Sequence, residues 1–230
     1  MSSTPSEIPD PVPGNEPGRR ARAIEMILLF TVVPGLLAVG PRRVVTLSIL
    51  AGGILSVIAL ARDAGFPRGM FFGADGLARG LRGLLRRTAV VWAGLLALTL
   101  IVRPQTLFQF PHRRPVVWAI VMVLYPLSAW AQEVIFRTFF FHRYGVLFAT
   151  ARGRVLASGL TFGWAHIVVN NVPAMLLAAI GGVLLAATYE RSRSTLLVSV
   201  EHALYGDFIF SVGLGSLFYS TARWVSWAAC

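Results

Sequence analysis

Long apolar runs separated by short arginine clusters are the feature that most constrains how this chain can fold. Seven such runs occur, at residues 23–39, 44–61, 89–102, 116–137, 155–171, 174–189 and 195–212. They are solidly apolar and do not alternate with polar residues, which favours membrane helices over the strands of a β-barrel. An eighth short span after Gly213 is the alternative count. We therefore predict an all-α, polytopic membrane helical bundle of seven or eight spans.

The segments outside these runs complete the predicted organisation. Residues 1–22 are rich in Pro, Ser and Glu and are expected to be a disordered tail, which leaves 23–230 as a single transmembrane domain. Before the third run, apolar residues recur at helical spacing between arginines, and this pattern predicts an amphipathic helix at the membrane surface. Those residues are Leu77, Leu81, Leu84 and Leu85.

The distribution of charge predicts the orientation of the chain. Of the 230 residues, 56% are hydrophobic and 13% are charged, and the basic residues are all arginine. With the N-terminus in the cytoplasm, most arginines fall on the cytoplasmic side of the bilayer. We expect an integral protein of a bacterial inner membrane. Because the arginines form no stripe with interleaved aromatic residues, no nucleic-acid partner is expected.

Three of the seven runs contain polar side chains that lipid would not accommodate. An ionisable residue inside a span costs about 2.5–3.5 kcal/mol on insertion scales, so it indicates a functional site. Glu201 in the seventh run is one of them, and the alternative for this residue is a solvated helix end, because it borders a turn. The remaining polar residues are Gln132, Glu133 and Arg137 in the fourth run, His166 and Asn170 in the fifth, and His202 and Asp207 in the seventh.

Helix geometry predicts that three of these side chains meet. At a rise of about 1.5 Å per residue, Glu133 lies about 6 Å inward from a cytoplasmic boundary at Arg137, and His202 and His166 lie about 10 and about 16 Å from the same side. Gly159 shares one helix stripe with His166 and allows a neighbouring helix to pack closely. We therefore expect one pocket that opens toward the cytoplasm.

A carboxylate and two imidazoles in one poorly hydrated pocket can hydrolyse a peptide bond. The carboxylate can act as a base on water, one histidine can shuttle the proton, and the other can help to bind the oxyanion. Two histidines and one glutamate can also hold zinc, so a metal is an alternative. Taken alone, a membrane histidine is more often an interhelical contact, and Glu133 with Arg137 is more often a structural ion pair.

Three motifs stand in order within residues 116–219. They are Gln132-Glu133-Val134-Ile135-Phe136-Arg137, Phe162-Gly163-Trp164-Ala165-His166 and His202-Ala203-Leu204-Tyr205-Gly206-Asp207. They resemble the Glu-Glu-x-x-x-Arg, Phe-x-x-x-His and His-x-x-x-Asn/Asp motifs of the CPBP family. Its members are the CAAX-processing and bacteriocin-processing intramembrane glutamic endopeptidases, also called Abi proteins.

The resemblance implies a metal-free endopeptidase without a cofactor that cuts a membrane-anchored or lipid-modified peptide at the bilayer. It implies that Arg137 orients the carboxylate of Glu133, and Gln132 and Asn170 are expected to support the site. The implied catalytic residues are Glu133, His166, His202 and Asp207.

Two departures from the family pattern favour an alternative function. The first glutamate of the family is Gln132 here, and a glutamine can position a water but cannot accept its proton. The acid after His202 is Asp207, one position later than in the family, and Gly206 stands in its place. The alternative is therefore a catalytically inactive relative that binds a membrane segment.

Overall fold

The computed structural model describes residues 16–71 and 74–218, and within these ranges it contains helices and no strand. The prediction of an all-α bundle is confirmed. The principal helices are α1 (Glu16–Ile27), α2 (Val33–Val39), α3 (Arg42–Arg62), α4 (Ala74–Val102), α5 (Gln109–Arg113), α6 (Pro115–Glu133), α7 (Phe140–Tyr144), α8 (Ala151–Ala165), α9 (Val172–Ser192) and α10 (Thr195–Ser211).

Among the described residues, five helical segments are long and apolar enough to cross a membrane. They are Pro17–Val39, Val44–Arg62, Gly80–Val102, Pro115–Leu147 and Val172–Ser192. The predicted fifth and seventh spans fold as α8 and α10, which have 15 and 17 residues and are shorter than those five. A membrane bundle is thus supported, and the count of seven or eight spans is not confirmed. The predicted eighth span falls largely on residues 219–230, outside the described part of the chain.

The N-terminal part of the chain differs from the prediction in two places. Residues 1–15 of the predicted disordered tail lie outside the described residues, whereas residues 16–22 belong to α1. The amphipathic segment around Leu84 is not a separate surface helix, because α4 runs without a break for 29 residues into the third span. No proline interrupts this stretch, so the backbone hydrogen bonds of the helix continue through it.

The fourth span continues well beyond its predicted end at Arg137. A π-helical segment, Val134–Phe139, joins α6 to α7, and the helical chain reaches Leu147. The aromatic residues that follow Arg137 form a core, in which Phe140 and Tyr144 pack edge-on against Phe30. Glu133 therefore lies roughly 20 Å along the helical chain from its end at Leu147, whereas the sequence placed the end of the span at Arg137, about 6 Å from Glu133.

Helices α8 and α9 pack very closely through glycine, as the sequence predicted for α8. A Cβ atom built on Gly159 would lie 2.5 Å from the Val183 side chain, and one on Gly163 would lie 2.5 Å from the Cβ atom of Ala179. Only glycine permits such an approach of two backbones. This contact fixes the end of α8, where His166 lies, against α9.

Side-chain caps start the three helices that surround the site. Thr150, Asn171 and Ser194 accept backbone hydrogen bonds from Gly153, Ala174 and Leu197 at the beginnings of α8, α9 and α10. Ser, Thr and Asn are favoured at this position because their oxygens satisfy amide groups that the helix leaves unbonded. Helix α10 then packs against α4, α6 and α9 in the interior of the bundle.

Candidate active site

Glu133 forms the centre of a buried group of charged side chains. It is the last residue of α6 and is 0% exposed, although most of its helix faces outward. Its Oε1 atom accepts a hydrogen bond from Nδ1 of His202 at 2.8 Å. This bond joins α6 to α10, so the structure brings together two of the predicted catalytic residues.

Arg137 provides the positive charge beside this carboxylate. Its Nε atom lies 3.1 Å from Oε2 of Glu133, and its Nη2 atom donates to the backbone carbonyl of Gly182 at 3.2 Å. The guanidinium group also lies 4.7 Å from the centre of the Phe162 ring. Both charges of the pair are fully buried, and a buried charge needs such partners to be tolerated.

The π-helical segment Val134–Phe139 begins directly after Glu133 and contains Arg137. Such segments are rare and often occur at functional sites, because the wider turn changes where side chains point. The hydroxyl of Ser158 on α8 donates to the carbonyl of Phe136 inside this segment at 2.6 Å. No pattern in the sequence indicated this wider turn, since its formation depends on tertiary contacts.

His202 uses both ring nitrogens within the protein. A carboxylate can only accept a hydrogen bond, so the bond to Glu133 places a proton on Nδ1, and we infer this tautomer from the partners. Nε2 lies 3.0 Å from the hydroxyl oxygen of Tyr125 on α6. In neutral His202 this nitrogen is an acceptor, so the Tyr125 hydroxyl donates to it.

Tyr125 was missed by the sequence analysis. It is the single tyrosine of the apolar run 116–130 and stands two turns before Gln132 on the same helix. That placement was an available signal, because a tyrosine inside a bilayer requires a partner for its hydroxyl group.

His166 lies at the end of α8, where the α-helix changes to a 3-10 turn over His166–Val169. Its Nδ1 atom lies 2.9 Å from the carbonyl oxygen of Phe162, to which it donates a proton, so Nε2 of the neutral ring retains its lone pair. The His166 and His202 rings lie 4.8 and 5.5 Å from the centre of the Phe162 ring. Both imidazoles thus contact one phenyl ring, and His166 is the more exposed of the two.

The other predicted site residues do not contact this cluster directly. The Gln132 amide donates to Ser128 on its own helix at 3.1 Å. In Asp207 the buried Oδ1 atom has no hydrogen-bond partner among residues 16–71 and 74–218, and the residue is not bonded to His202. Asn170 ends the 3-10 turn in the left-handed conformation, with φ 51°, and is exposed, so it leaves the stripe on which it was predicted.

The interpretation of Glu201 as a solvated helix end is wrong. This residue is 0% exposed, and its two carboxylate oxygens accept from Nε and Nη2 of Arg87 at 2.8 and 2.9 Å. The hydroxyl of Tyr205 donates to the same carboxylate at 2.6 Å. Arg87 precedes the third predicted run, but because α4 is continuous it lies within the bundle. There the ion pair of Arg87 and Glu201 holds the turn of α10 that carries His202.

No group of three histidine, cysteine, aspartate or glutamate side chains is placed to hold a metal ion in the part of the chain that the structure describes. The predicted absence of a cofactor stays a prediction, since a structure without ligands does not test it.

A comparison with protein families finds one match. Residues 114–206 match the family described as type II CAAX prenyl endopeptidase Rce1-like. The matched region contains Tyr125, the first two motifs and the third up to Gly206. It supports the predicted resemblance to the CPBP family of CAAX-processing proteases and, together with the apolar helices, an integral membrane protein. No curated protein and no solved structure matches the chain.

Proposed function

We propose that this chain is an intramembrane endopeptidase that hydrolyses a peptide bond of a membrane-anchored or lipid-modified protein with an activated water. One observation carries the proposal: the hydrogen bond between Glu133 and His202 joins two helices inside an apolar bundle, and His166 shares the Phe162 ring with this pair. The matched family is a protease family, which supports the same activity.

In this proposal His166 is the base that activates water. Its Nδ1 atom is held by a carbonyl, so its free Nε2 lone pair can accept a proton. Glu133 is less suited to that role, because Arg137 lies beside one of its oxygens and His202 bonds to the other. In this proposal Glu133 instead orients His202 through their hydrogen bond. His166 takes over part of the water-binding role that the sequence predicted for Glu133.

The proposed reaction balances without a cofactor. The water oxygen bonds to the carbonyl carbon of the substrate while its proton moves to Nε2 of His166. The C–N bond then breaks, and the proton on His166 passes to the leaving amine. The amide of Gln132 can orient the water through a hydrogen bond but takes no proton. We assign no step to Asp207 or Asn170.

The test is a cleavage assay with the purified protein in liposomes. The substrates are quenched fluorescent peptides that end in a Cys-aliphatic-aliphatic-X sequence, with and without a prenyl group on the cysteine. The change is His166→Asn, which keeps a donor near the Nδ1 position and removes Nε2. We expect kcat to fall by about 10²–10⁴-fold, as for the loss of a general base.

A matched control is His112→Asn, because His112 is an exposed histidine on the short helix α5. This variant should cleave like the wild type. Added zinc chelator should leave the rate unchanged, since the proposal uses no metal. If the wild type cleaves none of the peptides, or if His166→Asn cleaves as fast as the wild type, the proposal is wrong.

The second candidate function is a catalytically inactive relative that binds a membrane segment. The burial of Glu133 between two cationic or proton-donating partners favours it, as does the bond of Gln132 to its own helix. Gln132→Glu would restore the carboxylate that the family has at this position. Cleavage by this variant, with none by the wild type, would establish the second candidate over the first.

A further inference from the structure

The side chain of Tyr125 fills the space next to Gly206, where α6 crosses α10. A Cβ atom built on Gly206 would overlap the ring carbons and the hydroxyl oxygen of Tyr125. No side chain can therefore stand at position 206 while Tyr125 keeps its place. Position 206, four residues after His202, has no side chain, and this makes room for the Tyr125 hydroxyl beside His202. The two features depend on each other.

The hydroxyl of Tyr125 belongs to a continuous line of polar contacts. From Arg137 the line passes to Glu133 at 3.1 Å, from Glu133 to His202 at 2.8 Å, and from His202 to Tyr125 at 3.0 Å. Both nitrogens of His202 are thereby bonded on opposite edges of the ring. A flip of the ring would lose both bonds, so the two partners together fix its orientation and its Nδ1–H tautomer.

The alternative partner in the sequence, Asp207, does not replace this contact. Helix α10 continues without interruption through Gly206 to Ser211, so a residue five positions after His202 points about 140° away around the helix. The contact of Tyr125 with His202 also includes the rings, whose centres lie 5.9 Å apart at 82°. The hydroxyl and the ring both hold the imidazole.

We infer that Tyr125 is a positioning residue that orients His202, and that it supplies from α6 the hydrogen bond for which position 206 has no side chain. The predicted effect of Tyr125 on the cleavage rate rests on the proposed function. Its predicted effect on the orientation and tautomer of His202 does not. The two can therefore be tested separately in one set of variants.

The first measurement is the ¹⁵N NMR spectrum of histidine-labelled full-length protein in detergent micelles. The chain has 4 histidines, so His202→Gln assigns the two ring signals of His202. In the wild type we expect a protonated Nδ1 and a hydrogen-bonded, unprotonated Nε2. Tyr125→Phe removes only the hydroxyl, and we expect the Nε2 signal to move downfield as that bond is lost.

The control is Tyr144→Phe, which removes the hydroxyl of another tyrosine inside the bundle, bonded to Glu25 at 2.9 Å. It should leave the His202 signals in place. Identical His202 signals in the wild type and in Tyr125→Phe would overturn the inference whether or not the protein cleaves peptides.

The second measurement applies to an active enzyme. Tyr125→Phe should lower kcat about tenfold with KM unchanged, the amount that the loss of one hydrogen bond within the site allows. A shifted His202 signal with unchanged kcat would overturn the positioning role. An inactive wild type would instead contradict the proposed function, and the NMR result would still decide the contact.

A paired substitution tests the shared space. Gly206→Asn alone should disrupt the site, because its side chain meets Tyr125. Tyr125→Ala removes the obstacle, and the double variant Tyr125→Ala, Gly206→Asn should recover part of the lost kcat by placing an amide next to His202. If the double variant is no better than either single one, the two positions are not interchangeable and this part of the inference is wrong.

Discussion

At the residue scale, the site depends on how the charge of Glu133 is balanced. Its carboxylate lies between Arg137 and His202 with no exposure. Removing one member of a buried ion pair leaves an uncompensated charge and typically costs about 3–5 kcal/mol, whereas replacing both members can be nearly neutral. The pair should therefore behave as one unit in stability measurements.

We predict strong coupling between Glu133 and Arg137. Arg137→Met and Glu133→Gln should each lower the free energy of unfolding, by about 3 kcal/mol or more for Arg137→Met, which leaves a buried anion. The double variant should lose clearly less than the sum of the two. Equilibrium unfolding of the micelle-bound protein in SDS would measure all three.

The control for this cycle is Arg86→Met, since Arg86 is exposed on α4. It should change the unfolding free energy by less than about 0.5 kcal/mol. Additive losses in the double variant would show that Glu133 and Arg137 contribute independently and that their contact adds no coupling free energy.

How far the sequence predicts the site differs from residue to residue. Glu133 and His202 could be identified because each is an ionisable residue inside an apolar run. Such a side chain is costly in a bilayer unless it has a polar partner. Tyr125 was missed, because its contact with His202 depends on how α6 crosses α10. The spacing of residues along one helix does not determine how two helices cross. The partner of Glu201 was missed for a related reason: Arg87 lies outside the seven predicted runs.

At the element scale, close packing of α8 on α9 holds His166 in register with the rest of the site. The stripe of Gly159 and Gly163 was predictable from spacing alone, and the structure places both against backbone atoms of α9. The continuation of the fourth span past Arg137 was not predictable in this way. It depends on a π-helical segment and on the aromatic core around Phe140, both of which form only in the assembled bundle.

We predict that Gly163→Ala destabilises the protein and disturbs the site. Its new methyl group would lie 2.5 Å from the Cβ atom and 2.7 Å from the Cα atom of Ala179, so α8 must move away from α9. His166 stands three residues later and would move with α8. We expect a loss of about 1–3 kcal/mol, as for overpacked cores, measured as a lower midpoint of thermal unfolding.

Gly181→Ala on α9 is the matched control, because among the described residues no atom outside the neighbouring backbone of its own helix lies within 4 Å of its Cβ position. Here the change should be neutral or stabilising by up to about 1 kcal/mol, the difference in helix propensity between alanine and glycine. Equal losses for Gly163→Ala and Gly181→Ala would indicate a general intolerance of substitution and not a specific helix contact.

At the scale of the whole molecule, the number of spans determines where the two ends of the chain lie. The sequence predicts that α8 and α10 also cross the membrane, and with the five long helices they would make seven spans and place the ends on opposite sides. An eighth span would place them on the same side. Because the arginines lie mostly in loops on one side, the sequence predicts a cytoplasmic N-terminus in either case.

The single cysteine, Cys230, provides a direct test of the span number. With seven spans it lies outside the cytoplasm, so a membrane-impermeant maleimide should label it in intact spheroplasts. A second variant, Cys230→Ser with Ser3→Cys, should be labelled only in inside-out vesicles, because the sequence predicts a cytoplasmic N-terminus. Labelling of Cys230 only in inside-out vesicles would support eight spans, and labelling of Ser3→Cys in intact spheroplasts would contradict the predicted orientation. The orientation also decides which membrane face supplies water and peptide to the His166 side of the site, so this result determines on which face cleavage is to be sought.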